Sequence, residues 1–395
     1  MTRNNAVNMA TGQLSLWNRC TLAILTPVVA VRWIFGFLSH RNATLHWRQR
    51  LALTLLQALR TSLPPDLKLS LARRSSTGEE VAQYCNKNSI PREVVVLNVN
   101  PVGSDVPALT LHILTPPESS GNDSGPTILY IHGGGYVNPL RGPAHMPFIM
   151  ECAAACRARK VVVLAYALAP EHPYPAQLIH SVEALRHLLQ PTTSGMNLRP
   201  EDVILAGDSA GGQLVGAVLA HIVHPSPYAA PLRVDGQLRA ALLVSPFVRL
   251  PPPGSGSYES NHGLDYLTRP QVDVFKAAWC AREDEIWANL CGVEGSRRVW
   301  SRVFTGGPSR LVQKVMVTVG TAEIFLDCCR TFAREYVEAQ TIAANKDTDF
   351  SVFQGMDAVL AECEGEVHVQ PALDAAGGYN EGIMKRAIMS WLGAV

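Results

Sequence analysis

The chain has 395 residues, 47% of them apolar, and a formal net charge of +1. That is enough for a large core, as two to three domains of roughly 150 residues or as one catalytic domain with a cap. The charge balance, with no basic stripe of interleaved aromatics, excludes nucleic acid as an expected partner. Nine cysteines without a Cys-x-x-Cys pair exclude a zinc ribbon or a redox motif, and a chain of this size does not call for a disulfide framework.

Residues 1 to about 90 read as mainly helical. Residues 21–38 are mostly apolar and about long enough to span a bilayer, but Arg32 interrupts the run and Pro27 would kink a helix. Arg3 and Arg19 precede the segment; Arg41, Arg48 and Arg50 follow it. By the positive-inside rule these flanks favour a cytosolic body. The sequons Asn42-Ala43-Thr44 and Asn122-Asp123-Ser124 point instead to the secretory lumen. Two outcomes stay open: membrane association through residues 21–38, with the endoplasmic reticulum as candidate location, or an amphipathic cap helix on a cytoplasmic protein. Arg and Gln alternate with Leu and Ala at helical spacing over 46–59.

From residue 94 the pattern changes to short apolar runs. Strands are predicted at 94–97, 109–114, 127–131, 161–164, 203–206, 241–244, 315–319 and 356–363. Helices are predicted at 144–158, 178–189 and 213–223. Alternation of this kind argues for an α/β fold: a mostly parallel eight-stranded sheet with helices on both faces. Residues 251–307 interrupt it. They carry Tyr258, Tyr266, Phe275, Trp279, Trp287 and Trp300, which suit either core packing or a lid. Cys152 and Cys156 lie one turn apart on a predicted helix and read as small apolar residues.

Two motifs carry chemistry. The predicted strand 203–206 runs into Gly207-Asp208-Ser209-Ala210-Gly211-Gly212 and then a helix. A serine in such a strand–turn–helix is a nucleophile elbow, with glycines two positions to either side so that strand and helix can pass closely. The strand 127–131 ends in His132-Gly133-Gly134-Gly135-Tyr136. A glycine run after a strand lets bare backbone N–H groups face a developing oxyanion. Gly133 and Gly134 are the expected donors from this loop, with Ala210 as the third.

Together with Tyr166-Ala167-Leu168-Ala169-Pro170-Glu171-His172-Pro173, these motifs resemble the hormone-sensitive-lipase-like α/β-hydrolases over roughly residues 90 to 395. The resemblance extends to the fungal branch that includes sterol acetyl-ester deacetylases and esterases of secondary metabolism. Ala167 departs from the arginine usual there, which puts a local ion pair in doubt. The resemblance implies an α/β-hydrolase domain over 91–395 and a helical cap built from residues 1–90 and the insertion at 251–307.

It also implies the order Ser, acid, His. Glu323-Ile324-Phe325-Leu326-Asp327 aligns with the family's Asp-x-Leu-x-Asp pattern, so Glu323 takes the acid's place; Asp327 and then Asp357 are the alternatives. His368 is the only histidine after Glu323, while His112, His172, His180, His187, His221, His224 and His262 read as surface or loop residues. The implied activity is serine carboxylic-ester hydrolysis of a short acyl, acetyl above all, ester of a hydrophobic alcohol, with no cofactor or metal. The alternatives are an acyltransferase or cyclase using the same triad, or a non-catalytic small-molecule receptor on the same fold.

Overall fold

The computed structural model describes residues 15–39, 41–99, 106–117, 124–190, 195–250, 254 and 256–395. Among the described residues four helices come first: α1 (Leu16–Leu38), α2 (Trp47–Ser62), α3 (Pro65–Ala72) and α4 (Thr77–Lys87). Strands β1 (Arg92–Leu97), β2 (Leu109–Leu114) and β3 (Thr127–Ile131) follow. Then α5 (Gly142–Ala155), β4 (Lys160–Ala165), α6 (Ala176–Leu189), β5 (Val203–Asp208), α7 (Ala210–Val223) and β6 (Leu238–Val244) alternate. The insertion contains α8 (Ser257–Ser260), α9 (Arg269–Trp279) and α10 (Ser296–Trp300). The chain closes with β7 (Val312–Gly320), α11 (Leu326–Glu335), β8 (Gln340–Ala344), β9 (Ala358–Cys363), α12 (Gln370–Ala376) and α13 (Ile383–Leu392).

The sheet has nine described strands in the order β1-β2-β4-β3-β5-β6-β7-β9-β8. The pairs β1/β2 and β2/β4 are antiparallel and the rest parallel. Eight strands were expected; β8 is the addition. It sits at the edge, pairs only with β9, and most of its residues are partly or fully exposed. Its sequence, Gln340-Thr341-Ile342-Ala343-Ala344, holds a single large apolar residue, so no apolar run announces it.

Successive residues of the central strands point to opposite faces. Leu129, Leu205, Leu243 and Val317 pack with α6 and α7. Ile128, Ile204, Leu242 and Met316 pack on the other face with α5 and α13. The parallel register sets Ile131 beside Gly207, Gly207 beside Leu243 and Val244 beside Thr318. Loops after β3, β5, β6, β7 and β9 therefore emerge at one edge, where ligands bind in open α/β sheets.

Helix α1 runs unbroken through Pro27, and among the described residues it is the one helix long and apolar enough to cross a membrane. The sequon at Asn42 is not available to a glycan: Asn42 is buried and its Nδ2 donates to Leu264 O at 3.1 Å. Asn122 lies outside the described residues. His112, His180, His187 and His221 are buried rather than surface residues. His180 is held between Ala167 N, which donates to Nδ1 at 3.1 Å, and Pro107 O, 2.9 Å from Nε2. All nine cysteines are free thiols, and Cys152 and Cys156 are buried.

Candidate active site

Ser209 occupies the turn between β5 and α7 with φ 53° and ψ −117°, a conformation that costs a non-glycine residue about 1–3 kcal/mol. Its surroundings over-determine it. Ser209 N donates to Val244 O at 2.8 Å, and Ser209 O accepts from Gln213 N at 3.0 Å and Phe247 N at 3.1 Å. A Cβ on Gly211 would overlap Ile131 O, and one on Gly207 would overlap Gly211 O. Both positions must be glycine for β5, α7 and β3 to approach this closely.

Ser209 Oγ lies 2.8 Å from His368 Nε2, and His368 Nδ1 lies 2.9 Å from Glu323 Oε2. Glu323 is fully buried. Its other oxygen accepts from Gly320 N at 2.5 Å and Ser245 Oγ at 3.0 Å. Ser245, in the turn after β6, also accepts from Val369 N at 3.1 Å, so one hydroxyl ties the acid loop to the histidine loop. The ring of Phe325 stands edge-on to His368 at 4.9 Å, and Tyr266 lies 6.0 Å from it. This chain of contacts can draw a proton from the serine hydroxyl and stabilise the resulting imidazolium.

The other two carboxylates lie elsewhere. Asp327 is in the first turn of α11, and its Oδ2 accepts from Ser257 N at 2.7 Å. Asp357 pairs with Arg310 at 3.0 Å on the surface.

One predicted residue is corrected. Gly133 cannot donate to an oxyanion, because its N–H donates to Asp208 Oδ1 at 3.0 Å. The same oxygen accepts from Tyr130 OH at 2.7 Å, and His145 Nε2 lies 3.4 Å from Oδ2. Burial alone would raise the Asp208 pKa. The His145 charge and these hydrogen bonds hold it below its ordinary value instead. The N–H groups of Gly134, Gly135 and Ala210 make no hydrogen bond among the described residues. Gly135 has φ 63°, and a Cβ there would overlap the Phe275 ring of α9. His132, at the head of the loop, stacks on Tyr166 at 4.4 Å, and burial pushes its pKa down to about 4. It is a neutral structural residue.

Three residues went unread in the sequence: Ser245, Asn261 and Asp265. Asp265 is a buried carboxyl group in the insertion, whose oxygens accept from Ile324 N at 3.1 Å and Leu267 N at 3.2 Å. Burial pushes its pKa up to about 6; the Glu323 charge adds to this and His368 opposes it. Asn261 Nδ2 donates to Thr321 O and Glu323 O at 3.0 and 2.8 Å. The segment from Ser257 to Asp265 thus wraps the acid loop. No single-sequence signal marks these contacts, which join residues about 60 positions apart. Nearby, Glu171 pairs with Arg73, at the end of α3, at 2.6 Å. Among the described residues no group of His, Cys, Asp or Glu is placed to hold a metal ion.

Residues 128–360 match the alpha/beta hydrolase fold family, over half of the chain. The chain belongs to that family. This hydrolase-fold chain is 40% identical over 101 residues to the carboxylesterase NlhH of Mycobacterium tuberculosis, covering 25% of this chain and 30% of that protein. It is 33% identical over 221 residues to an acetyl-hydrolase of Streptomyces hygroscopicus, covering 55% and 64%. The match thus spans less than two thirds of either curated relative. An esterase from the archaeon Pyrobaculum calidifontis shares the hydrolase fold with a TM-score of 0.58 at 17% identity, over 86% of this chain and 96% of that one.

Proposed function

We propose that this chain is a serine carboxylic-ester hydrolase. The observation that carries the reading is the continuous contact from Ser209 Oγ through His368 to Glu323, at 2.8 and 2.9 Å. Ser209 attacks the ester carbonyl while His368 Nε2 takes its proton. The tetrahedral oxyanion is held by the N–H groups of Gly134, Gly135 and Ala210. His368 then returns the proton to the departing alcohol, leaving an acyl group on Ser209. Water, deprotonated by His368, releases the acid in a second round. Glu323 fixes the imidazole with Nδ1 protonated and stabilises its positive form. Each oxyanion donor is worth about 3 kcal/mol of barrier.

The proposed substrate is a short-chain ester, acetyl to about butyryl, of a hydrophobic alcohol. Two observations support it: similarity to a protein named acetyl-hydrolase, and the Phe275 ring packed against Gly135, which narrows the space over the loop. We extend the proposal to the architecture. Residues 1–90 and 251–307 act as a cap on a catalytic domain over 91–395, and α1 associates with a membrane. A p-nitrophenyl ester series from acetyl to palmitoyl tests the substrate. Rates should peak at short chains; a rate still rising at palmitoyl contradicts the acyl preference. Product analysis with a competing alcohol distinguishes hydrolysis from acyl transfer.

A further inference from the structure

We propose that α1 lies in the plane of an anionic membrane surface, with its outer face in the headgroup–acyl boundary, and does not cross the bilayer. The inference rests on the membrane association proposed above and adds its geometry. It stands apart from the ester chemistry.

The inner face of α1 is bound to the protein along its length. Leu22, Leu25, Val29 and Trp33 pack with Ala58 of α2, Leu63 just after it and Leu67 of α3. Polar contacts fix both ends and the middle. Asn18 Nδ2 donates to Ser70 Oγ at 3.4 Å, Arg32 Nη1 to Thr61 O at 3.1 Å, Trp33 Nε1 to Leu51 O at 3.1 Å and Arg50 Nη2 to Phe37 O at 2.5 Å. From Asn18 to Phe37 is roughly 30 Å of helix, the thickness of a hydrocarbon core. Crossing a bilayer would either strip every one of these contacts or drag in α2, with Arg48, Arg50 and Arg60. Charged side chains at that depth are expensive.

The outer face is a different surface. Trp17, Ile24, Val28, Val31, Phe35 and Leu38 are exposed, from 42% at Val28 to 78% at Trp17. Their spacing of seven, four, three, four and three puts them on one stripe. A continuous apolar stripe of this size marks a contact surface. Its charge surroundings say with what. Residues 1–65 contain seven arginines and no aspartate or glutamate, in a protein of net charge +1. An apolar helix face with aromatics near its ends, in a segment whose charges are all arginine, suits an anionic lipid surface. A second copy of the chain would bring the same positive charge to the same face. At the C-terminal end of the stripe Arg41 and Arg50 line a cavity of about 250 Å³, and neither has an ion-pair partner among the described residues. That is the environment a phosphodiester headgroup needs.

This placement sets lipid beside the ester site. Helix α2, against which α1 packs, reaches the segment covering His368. Gln57 Nε2 donates to Leu264 O at 3.0 Å, and the Arg60 guanidinium lies 4.6 Å from the Tyr266 ring centre.

The test uses the full chain carrying C20S and C280S, which removes the exposed thiols. A nitroxide is placed at Trp17→Cys, Ile24→Cys, Val31→Cys or Leu38→Cys, one at a time. Immersion depth is measured on vesicles of phosphatidylcholine and phosphatidylserine at about three to one. In-plane docking gives one shallow depth, about 5–10 Å, at all four positions. Positions 24 and 31 deep near the midplane, with 17 and 38 shallow, overturn the in-plane inference while leaving membrane association intact. No immersion anywhere overturns both, and spin–spin broadening without vesicles assigns the stripe to a second copy. Replacing phosphatidylserine with phosphatidylcholine should weaken binding about tenfold or more; unchanged affinity contradicts the anionic requirement. Hydrolysis of a soluble ester, measured on the same samples, reports the catalytic proposal separately.

Discussion

Gly133 donates its N–H to the carboxylate of Asp208 at 3.0 Å. The residue before the elbow serine thus holds the first glycine of the loop before it. One carboxylate sets the distance between Ser209 and the two glycines left to face an oxyanion. It reaches them because β3 and β5 are parallel neighbours with Ile131 level with Gly207.

Asp208→Ala should therefore damage catalysis without touching substrate. It strands the Gly133 N–H, the Tyr130 hydroxyl and His145 in a buried site, at about 1–3 kcal/mol each. Turnover should fall about 10²–10³-fold, as when an oxyanion donor is lost, and the melting temperature should drop. Tyr130→Phe, which removes one of the three donors, should lower stability with little effect on kcat. Steady-state kinetics and thermal melts of both variants decide. Normal kcat in Asp208→Ala would dissociate this carboxylate from the oxyanion loop.

Glu323→Gln keeps the shape of the acid but lets the imidazole take the wrong tautomer. Turnover should drop by about 10⁴-fold. Asp327→Asn should leave kcat nearly unchanged and cost about 1 kcal/mol of stability or less, because that carboxylate places its charge in the first turn of α11 and accepts from Ser257 N. Kinetics of the two variants side by side would expose an error: the reverse ranking places the acid at Asp327.

How far the site could be read ahead depends on what each residue needs. Ser209 needs a tight turn, and its glycines write that requirement into the sequence. His368 and Glu323 follow from the order and the acid motif that the family resemblance implies, together with strand ends, and the three side chains meet within hydrogen-bond distance. The misassigned Gly133 shows the limit. A glycine run announces free backbone donors but not which of them a neighbouring strand will claim, and the claim by Asp208 depends on strand register. Asp265, Asn261 and Ser245 act through contacts between distant segments, which periodicity does not encode. The other eight strands were legible from their apolar runs. The edge strand β8 was not, because Gln340-Thr341-Ile342-Ala343-Ala344 holds a single large apolar residue.

The pH dependence of stability should have two arms. Burial holds His112, His132 and His180 down to about 4, with Arg92 adding to the effect on His112. Between about pH 4 and 6.5 the unfolded chain binds more protons at these positions than the folded one, so stability rises with pH and is lost on acidification. Burial and mutual repulsion push Glu366 up to about 8, and burial pushes Asp374 up to about 6. There the folded state keeps its protons longer, so stability falls as pH rises through that window. The arms oppose each other below about pH 6.5: Asp265, also pushed up to about 6, joins the two acids, while His187 and His221, also pushed down by burial, join the three histidines, so that five histidines face three acids; above it Glu366 continues to titrate. Thermal unfolding from about pH 4 to 9 should show a maximum near neutrality, with a flatter alkaline arm in Glu366→Gln. An alkaline arm unchanged by that variant would remove Glu366 as its cause.

The central claim is that Ser209 is the nucleophile of ester hydrolysis. Its most direct test is titration with a fluorophosphonate, following p-nitrophenyl acetate hydrolysis alongside mass spectrometry of the modified peptide. One label per chain is expected, on Ser209, with activity lost in proportion to labelling, and a folded Ser209→Ala variant should neither label nor turn over ester. Undiminished hydrolysis by fully labelled protein, or by Ser209→Ala with an unchanged melting curve, would contradict it.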